Sequence, residues 1–333
     1  MSRTSGTRCS KRSIRGRPKR ERGRGALSTP SVEDIVKAGT PLIERRKPSR
    51  NKKLAPYELL APGTLYLAIF FLIPIGYMFY TSLQSGFIGD FHFNWHFANY
   101  ADAIKLHGGI YARSLSYAGL VTLFALLFAY PVAYWIAFYG GKRKSVFLFL
   151  LLLPFFVSFI IRTVEWQFLL RDDGLILGPL KRIGLLPKNY HVLGTSIAVI
   201  AGITYNFLPF TALPLYVALE RIDKRLVEAG KDLYASRFTT FRKVVWPLAL
   251  PGVFAAFLLT FVPAVGDYVN VQVLGGPGNT MIGNVIQNEF LVNFNYPLAA
   301  AMSFILMAAL LIGASIYARV LGTEDVTSGA AAG

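Results

Sequence analysis

Glu228–Pro251 reads EAGKDLYASRFTTFRKVVWPLALP, a charged, helix-prone stretch between two long apolar runs. Leu226, Ala229 or Gly230, and Leu233 fall on one helical face, with Asp232 beside them. Phe238, Phe241 and Val245 recur at i, i+3 and i+7 and mark a second short face. Ser236 stands where the N-cap of that second helix belongs. Lys231, Arg237, Arg242 and Lys243 supply the polar side. Two readings are open from the pattern alone. The stretch is a solvated hairpin that only links two membrane helices, or its apolar residues, which have no membrane to enter, dock on a partner.

Outward from this stretch the chain is apolar. Of its 333 residues 53% are hydrophobic and the mean hydropathy is +0.44, beyond the range of an ordinary soluble protein. Six apolar runs stand out, at about 62–83, 114–138, 146–168, 195–219, 248–271 and 297–320. Each has the roughly 20–25 residues needed to cross a ~30 Å hydrocarbon core at ~1.5 Å per residue. The expected fold is therefore all-α, a polytopic membrane protein of six transmembrane helices spanning residues 62–321. Pro74, Pro131, Pro154, Pro209, Pro214 and Pro263 lie inside these runs and predict kinked helices packed against neighbours.

The net charge of +17 invites a nucleic-acid reading, but the excess is local. About half of the Lys and Arg residues precede Pro62, in a tail rich in Gly and Ser, and many of the rest sit in two loops. This is the pattern of positive charge held on the inner side of a membrane, so no nucleic-acid partner is expected. Residues 1–61 read as a disordered cytoplasmic tail with one brief helix at 31–38, and residues 322–333 as a second tail. Orientation follows. The inner loops are 139–145, with Lys142, Arg143 and Lys144, and 220–246. The outer loops are 84–113, 169–194 and 272–296, and both termini are cytoplasmic. The loop 169–194 is the exception, because it carries Arg171, Lys181, Arg182 and Lys188.

Cys9 is the lone cysteine, which excludes an intramolecular disulfide and a multi-cysteine metal site. His92 and His96 could meet on a helix face as metal ligands, with only Asp90 and Asp102 near to complete a set. The competing reading of FHFNWHFANY, Phe91–Tyr100, is an aromatic interfacial segment or a contact surface for a soluble partner. The Gly-rich LGGPGNTMIGNVI, Leu274–Ile286, follows a membrane span and lacks the Lys of a phosphate-binding loop, so it reads as a tight re-entrant or outward loop. No Walker motif, HExxH or Ser/His/Asp set is visible, so neither ATP hydrolysis nor another enzymatic activity is expected of the chain itself, and no cofactor is implied.

Ionisable groups at membrane depth are costly and by default face a pore or a partner helix. Arg162 and Glu165, at i and i+3, are expected to pair. Glu165 with Trp166, Tyr205 with Asn206, and Asp267 with Tyr268 bring carboxylates beside aromatic rings, a combination suited to an organic cation. The alternative for each is structural hydrogen bonding between helices.

The Glu228 stretch resembles the coupling loop of permease subunits in bacterial ABC importers, whose pattern is Glu-Ala-Ala, three residues, then Gly, with a hydrophobic-Pro ending. Glu228, Ala229, Ala235, Ser236, Phe241, Pro247, Leu248 and Pro251 match. Gly230 replaces the second Ala and remains small, whereas Tyr234 replaces the Gly and resists a positive φ. The resemblance covers about 59–321 and is nearest to spermidine/putrescine permeases, through PFFVSFIIR (Pro154–Arg162), LPFTALPLYVA (Leu208–Ala218), 226–251 and 274–286. Permeases for iron(III), opines and other small solutes are similar over much of the pattern. The resemblance implies a type I ABC importer permease in a bacterial cytoplasmic membrane, in contact with lipid. Its implied partners are cytoplasmic ATPase subunits, a second, similar permease and an external binding protein. Leu226, Glu228, Ala229, Gly230, Asp232, Leu233, Ala235, Ser236, Phe241 and Pro247 would form the ATPase-coupling loop within 220–251. A secondary transporter is the rival, but its paired broken helices in two repeated halves are not visible in the sequence.

Overall fold

The computed structural model describes residues 55–86, 89–187 and 189–320. Of the chain's two units, divided between Leu65 and Tyr66, the second carries nearly all of the described residues. The basic tail, its brief helix, Cys9 and the residues after 320 lie outside the described residues. The elements are α1 (Ala55–Leu67), a π-helical turn (Ala68–Leu72), α2 (Ile73–Ser82), strands β1 (Gln84–Ser85) and β2 (His92–Phe93), α3 (Ala98–Tyr139), α4 (Lys144–Leu152), α5 (Phe159–Leu170), α6 (Leu177–Arg182) and α7 (Ser196–Glu220). There follow α8 (Lys224–Asp232), α9 (Arg237–Thr240), a second π turn (Phe241–Val245), α10 (Trp246–Val265), α11 (Val269–Leu274), α12 (Ile282–Leu291) and α13 (Tyr296–Val320).

Five helices among the described residues are long and apolar enough to cross a membrane, and a bent pair supplies a sixth span. That pair is the expected third span. Its halves, Gly141–Phe156 and Phe159–Leu170, meet at 88°. Pro154 lies in the 3₁₀ turn Leu153–Phe156 that closes the first half, and Val157 and Ser158 are extended in ψ. Proline withholds an N–H and its ring clashes with the preceding turn, so the helix stops there instead of kinking.

Two further expectations are corrected. Ala98–Arg113 is no loop but the first four turns of α3, a 42-residue helix. Ala103, His107, Ile110 and Ser114 recur at helical spacing on its covered side, while Asp102 and Lys105 are exposed, so no apolar run announces it. The fifth span ends at Val265, not Val271, because Gly266 breaks the helix and α11 starts afresh. The Gly-rich segment 274–286 contains a 3₁₀ turn, Pro277–Asn279, and the start of α12. It is pinned to α3: Arg113 donates to Gly278 O (2.5 Å), Tyr117 to Asn279 Oδ1 (3.0 Å) and Ile282 N to Ser114 Oγ (2.7 Å).

α3, α7 and α10 pack together at the centre of the second unit. Small residues make this possible. Ala118, Ala125, Ala129, Ala133 and Ala137 form a buried stripe on α3. On α10 Gly252 lies where any Cβ would strike Ala218 and the Pro214 carbonyl of α7. Lipid tails are as apolar as leucine, so close van der Waals packing of small residues replaces the hydrophobic drive between helices. Two apolar clusters result. One gathers Val121, Val199, Ile203, Leu274, Met281 and Ile282. The other gathers Ala133, Leu215, Leu219, Ile222, Val245 and Ala249 at the end where the Glu228 stretch lies.

The loop pairs expected to share a side do touch. Lys144 Nζ bonds both carboxylate oxygens of Glu220 (2.5 and 2.6 Å), joining the two expected inner loops. Gly194 bridges Gly275, and Asn279 Nδ2 donates to Gly194 O (2.7 Å), joining two expected outer loops.

Candidate functional site

The Glu228 stretch is built as two short helices at an angle, α8 and α9. Ser236 caps α9 as the sequence predicts, accepting from Thr239 N at 3.1 Å. The turn between the helices passes through Tyr234 at φ +57°, the left-handed conformation that glycine adopts without a Cβ clash. The side chain of Tyr234 is 98% exposed, so nothing among the described residues compensates the strain. Leu233 N and Ala235 N close the turn onto the carbonyls of Ala229 and Gly230 (3.1 and 3.0 Å).

Inward, Val227, Phe241 and Val245 seat the loop on the apolar cluster of α3, α7 and α10. The ring of Phe241 meets Tyr130 and Tyr134 edge-on at 5.8 and 6.0 Å. Outward, Leu226, Leu233 (81%) and Phe238 (71%) stand exposed, and Glu228, Ala229, Asp232 and Pro247 are exposed with them. The second face of the stretch is thus split: Val245 and Phe241 look in and Phe238 looks out. At Gly230 a Cβ would lie 3.1 Å from Cγ2 and Oγ1 of Thr240, so its smallness serves the crossing of α8 over α9. The π turn Phe241–Val245 delivers Pro247 into the first turn of α10, where its missing N–H needs no partner.

The residues expected at membrane depth divide into accessible side chains and a buried knot. Glu165 and Tyr268 are exposed and Trp166 and Tyr205 half-buried, the last two with ring centroids 5.5 Å apart. Asn270, fully buried, is the hub of the knot. Its Oδ1 accepts from Thr163 Oγ1 (3.0 Å) and Asn206 Nδ2 (2.9 Å). Its own N and Nδ2 donate to the two oxygens of Asp267 (3.0 and 2.6 Å). Asp267 is only 7% exposed and Asn206 not at all, so within this chain both serve the knot, which ties α5, α7 and α11 together. Thr163 and Asn270 were not singled out in the sequence; the signal available was a second amide three residues after a carboxylate. The expected Arg162–Glu165 pair does not form. Arg162 is buried, turned to the Asn206 carbonyl (3.5 Å) and to the Phe159 ring, 5.8 Å from its centroid.

Outside the spans, the basic loop that broke the charge pattern is partly neutralised. Lys181 pairs with Asp172 (2.8 Å), which also meets His191, and Arg171 lies 3.7 Å from Asp173. The Lys181 hydrogen bond, seconded by His191, holds the Asp172 carboxyl below the usual carboxylate range. His92 lies on β2, not on a helix, and pairs with Asp90 at 2.7 Å. No group of three or more metal-binding side chains occurs among the described residues.

Known proteins resemble the chain at three levels. The spermidine/putrescine transport system permease protein PotB of Haemophilus influenzae is 37% identical over 259 residues, 77% of this chain and 87% of the relative. PotB of Escherichia coli is 35% identical over 214 residues, 64% of this chain and 78% of that one. Among solved structures, a bacterial ABC transporter that imports the acidic polysaccharide alginate superposes with a TM-score of 0.62 over 81% of this chain and 96% of that chain. At 16% identity that likeness speaks to the fold alone. The family model for the inner membrane component of binding-protein-dependent transport systems matches residues 129–321, the part that holds α7, the Glu228 loop and the buried knot. Since that match takes in more than half of the 333 residues, the chain belongs to the family of binding-protein-dependent transport system inner membrane components.

Proposed function

We propose that the chain is the permease subunit of an ATP-driven importer of polyamines such as spermidine and putrescine. The observation that carries this reading is the 37% identity to PotB of Haemophilus influenzae over 259 residues. Taken together as the rim of a path, the accessible residues fit the substrate class: the Glu165 carboxylate neutralises an ammonium group, and the faces of Trp166, Tyr205 and Tyr268 attract it by cation–π contact. Asp267 and Asn206 stand behind that rim.

The assembly in this reading has four kinds of component besides lipid: this chain, a second and similar permease, cytoplasmic ATPase subunits, and an external binding protein that delivers the substrate. The loop of α8 and α9 docks on an ATPase through Leu226, Leu233 and Phe238, large apolar side chains exposed on its surface. Closure of the ATPases on ATP is passed through the loop to α10 and α7, which rock between inward- and outward-facing arrangements. The Lys/Arg asymmetry supports a cytoplasmic location for this loop and for both termini. A reporter fused after Gly141 then reads cytoplasmic and one fused after Gly276 external.

The test is uptake into membrane vesicles carrying the chain with its ATPase, the second permease and the binding protein. ATP-dependent accumulation of spermidine, competed by putrescine, is expected. Accumulation of iron(III) or an opine in place of any polyamine would transfer the chain to another substrate class.

A further inference from the structure

Arg162 carries a charge that the proposed transport cycle does not use. It is 6% exposed, lies just past the break in the third span, and makes no ion pair among the described residues. Its Nε has no hydrogen-bond partner. A buried cation left uncompensated is strongly unfavourable, so its counter-charge must be sought nearby. Four links lead to one. Arg162 Nη1 donates to the backbone carbonyl of Asn206 (3.5 Å), and the side chain of the same residue donates from Nδ2 to Asn270 Oδ1 (2.9 Å). Asn270 in turn donates from Nδ2 to Asp267 Oδ2 (2.6 Å) and from N to Asp267 Oδ1 (3.0 Å). Asp267, like Arg162, makes no direct ion pair among the described residues.

We propose that Arg162 and Asp267 are a single buried ion pair bridged by Asn206, through its backbone carbonyl on one side and its side-chain amide on the other, and by Asn270, and that Arg162 acts as a positioning residue that keeps the floor of the cation path electrically neutral. The inference rests on the polyamine reading and deepens it. A carboxylate buried beneath a rim that attracts ammonium groups would hold a polycation too firmly to release it. This bridge spends the Asp267 charge on Arg162 instead, leaving exposed Glu165 to meet the substrate. In a low-dielectric interior, two opposite charges held by the same pair of hydrogen-bonded residues attract over a longer range than they would in water. The first link has slack: Arg162 Nε and Asn206 Oδ1, on two residues already in contact, are an unmet donor and an unmet acceptor. A small displacement of α5 against α7 can therefore tighten or loosen the pair.

The experiment is a double-mutant cycle on the full complex, with KM and kcat for spermidine uptake measured in vesicles. Arg162→Gln leaves Asp267 uncompensated: KM should fall and kcat should fall with it, as the cation is held. Asp267→Asn leaves Arg162 uncompensated, and KM should rise. The double variant has no net charge to balance and should return to within about twofold of wild type in both constants. Arg162→Lys, which keeps the charge, should lie nearer wild type than Arg162→Gln. KM changes of the same sign in the two single variants, or a double variant no better than the worse single one, would overturn the pairing. The melting temperature of the purified full-length chain provides a readout free of transport: both single variants should melt lower and the double variant should recover. Strictly additive losses overturn the inference. Absence of spermidine uptake by the wild-type complex would instead remove the polyamine reading, and the melting cycle alone would then decide the pairing.

Discussion

Polar and apolar side chains trade places between the loop of α8 and α9 and the knot around Asn270. In the loop, Leu233, Tyr234 and Phe238 are 71–98% exposed. In the knot, inside the bundle, Asn206 and Asn270 are fully buried and Asp267 nearly so. An exposed Leu on a lipid-facing helix carries no information, and neither does a buried Ala between helices. Side chains that oppose their local solvent do carry it, because each has a cost that something must offset. In the knot the offset is internal, the hydrogen bonds among Thr163, Asn206, Asp267 and Asn270. In the loop nothing among the described residues supplies it, and that asymmetry sets the proposed docking surface apart from a fastening.

The sharpest way to break the comparison is Asn270→Leu. It removes the acceptor of Thr163 and Asn206 and both donors to Asp267 in one step. Stranding a buried charge should cost roughly 3–5 kcal/mol, seen as a large fall in melting temperature of the purified protein. An unchanged melting temperature would show that the knot fastens nothing. The next pair of variants sharpens the loop. Gly230→Leu drives a side chain into Thr240, so it should cost about 1–3 kcal/mol of the chain's own stability. Leu233→Ser should leave stability within about 0.5 kcal/mol yet reduce copurification of the ATPase. A Leu233→Ser variant that holds the ATPase as well as wild type does would return the loop to the role of a linker. The smallest effect belongs to Tyr234→Gly. Glycine takes φ +57° without a Cβ clash, so stability should rise by no more than about 1 kcal/mol, while any loss of ATPase binding would count Tyr234 among the docking side chains.

The spans were legible because length and hydropathy alone decide them. The cap at Ser236 was legible too, since backbone geometry at that point is a local matter, whereas the Tyr234 side chain argued against the left-handed turn that it in fact occupies. What escaped the sequence was relational. Ala98–Arg113 looked like a loop because a helix wetted on one side has no apolar run. Arg162 and Glu165 were matched by spacing, yet Arg162 took a partner 44 residues away. The hub Asn270 binds Thr163 and Asn206 across separations of 107 and 64 residues, which no local pattern encodes. Gly230 was legible as a residue that must be small, but not as one made small by Thr240 of the same chain.

The alanine stripe of α3 has a mechanical meaning. Ala118, Ala125, Ala129, Ala133 and Ala137 give the central helix a nearly smooth flank towards its neighbours. Interlocked leucine ridges behave as gear teeth, and a helix can pass them only by jumping a whole ridge. A methyl-lined flank behaves as a plain bearing, on which α7 and α10 can slide and tilt by fractions of a turn without parting. The polar links, Thr211 with Thr260 (2.7 Å) and the knot at Asn270, then act as the detents of that bearing. A shallow track with a few firm stops lets a small push at the loop become a defined displacement at the far end of the bundle.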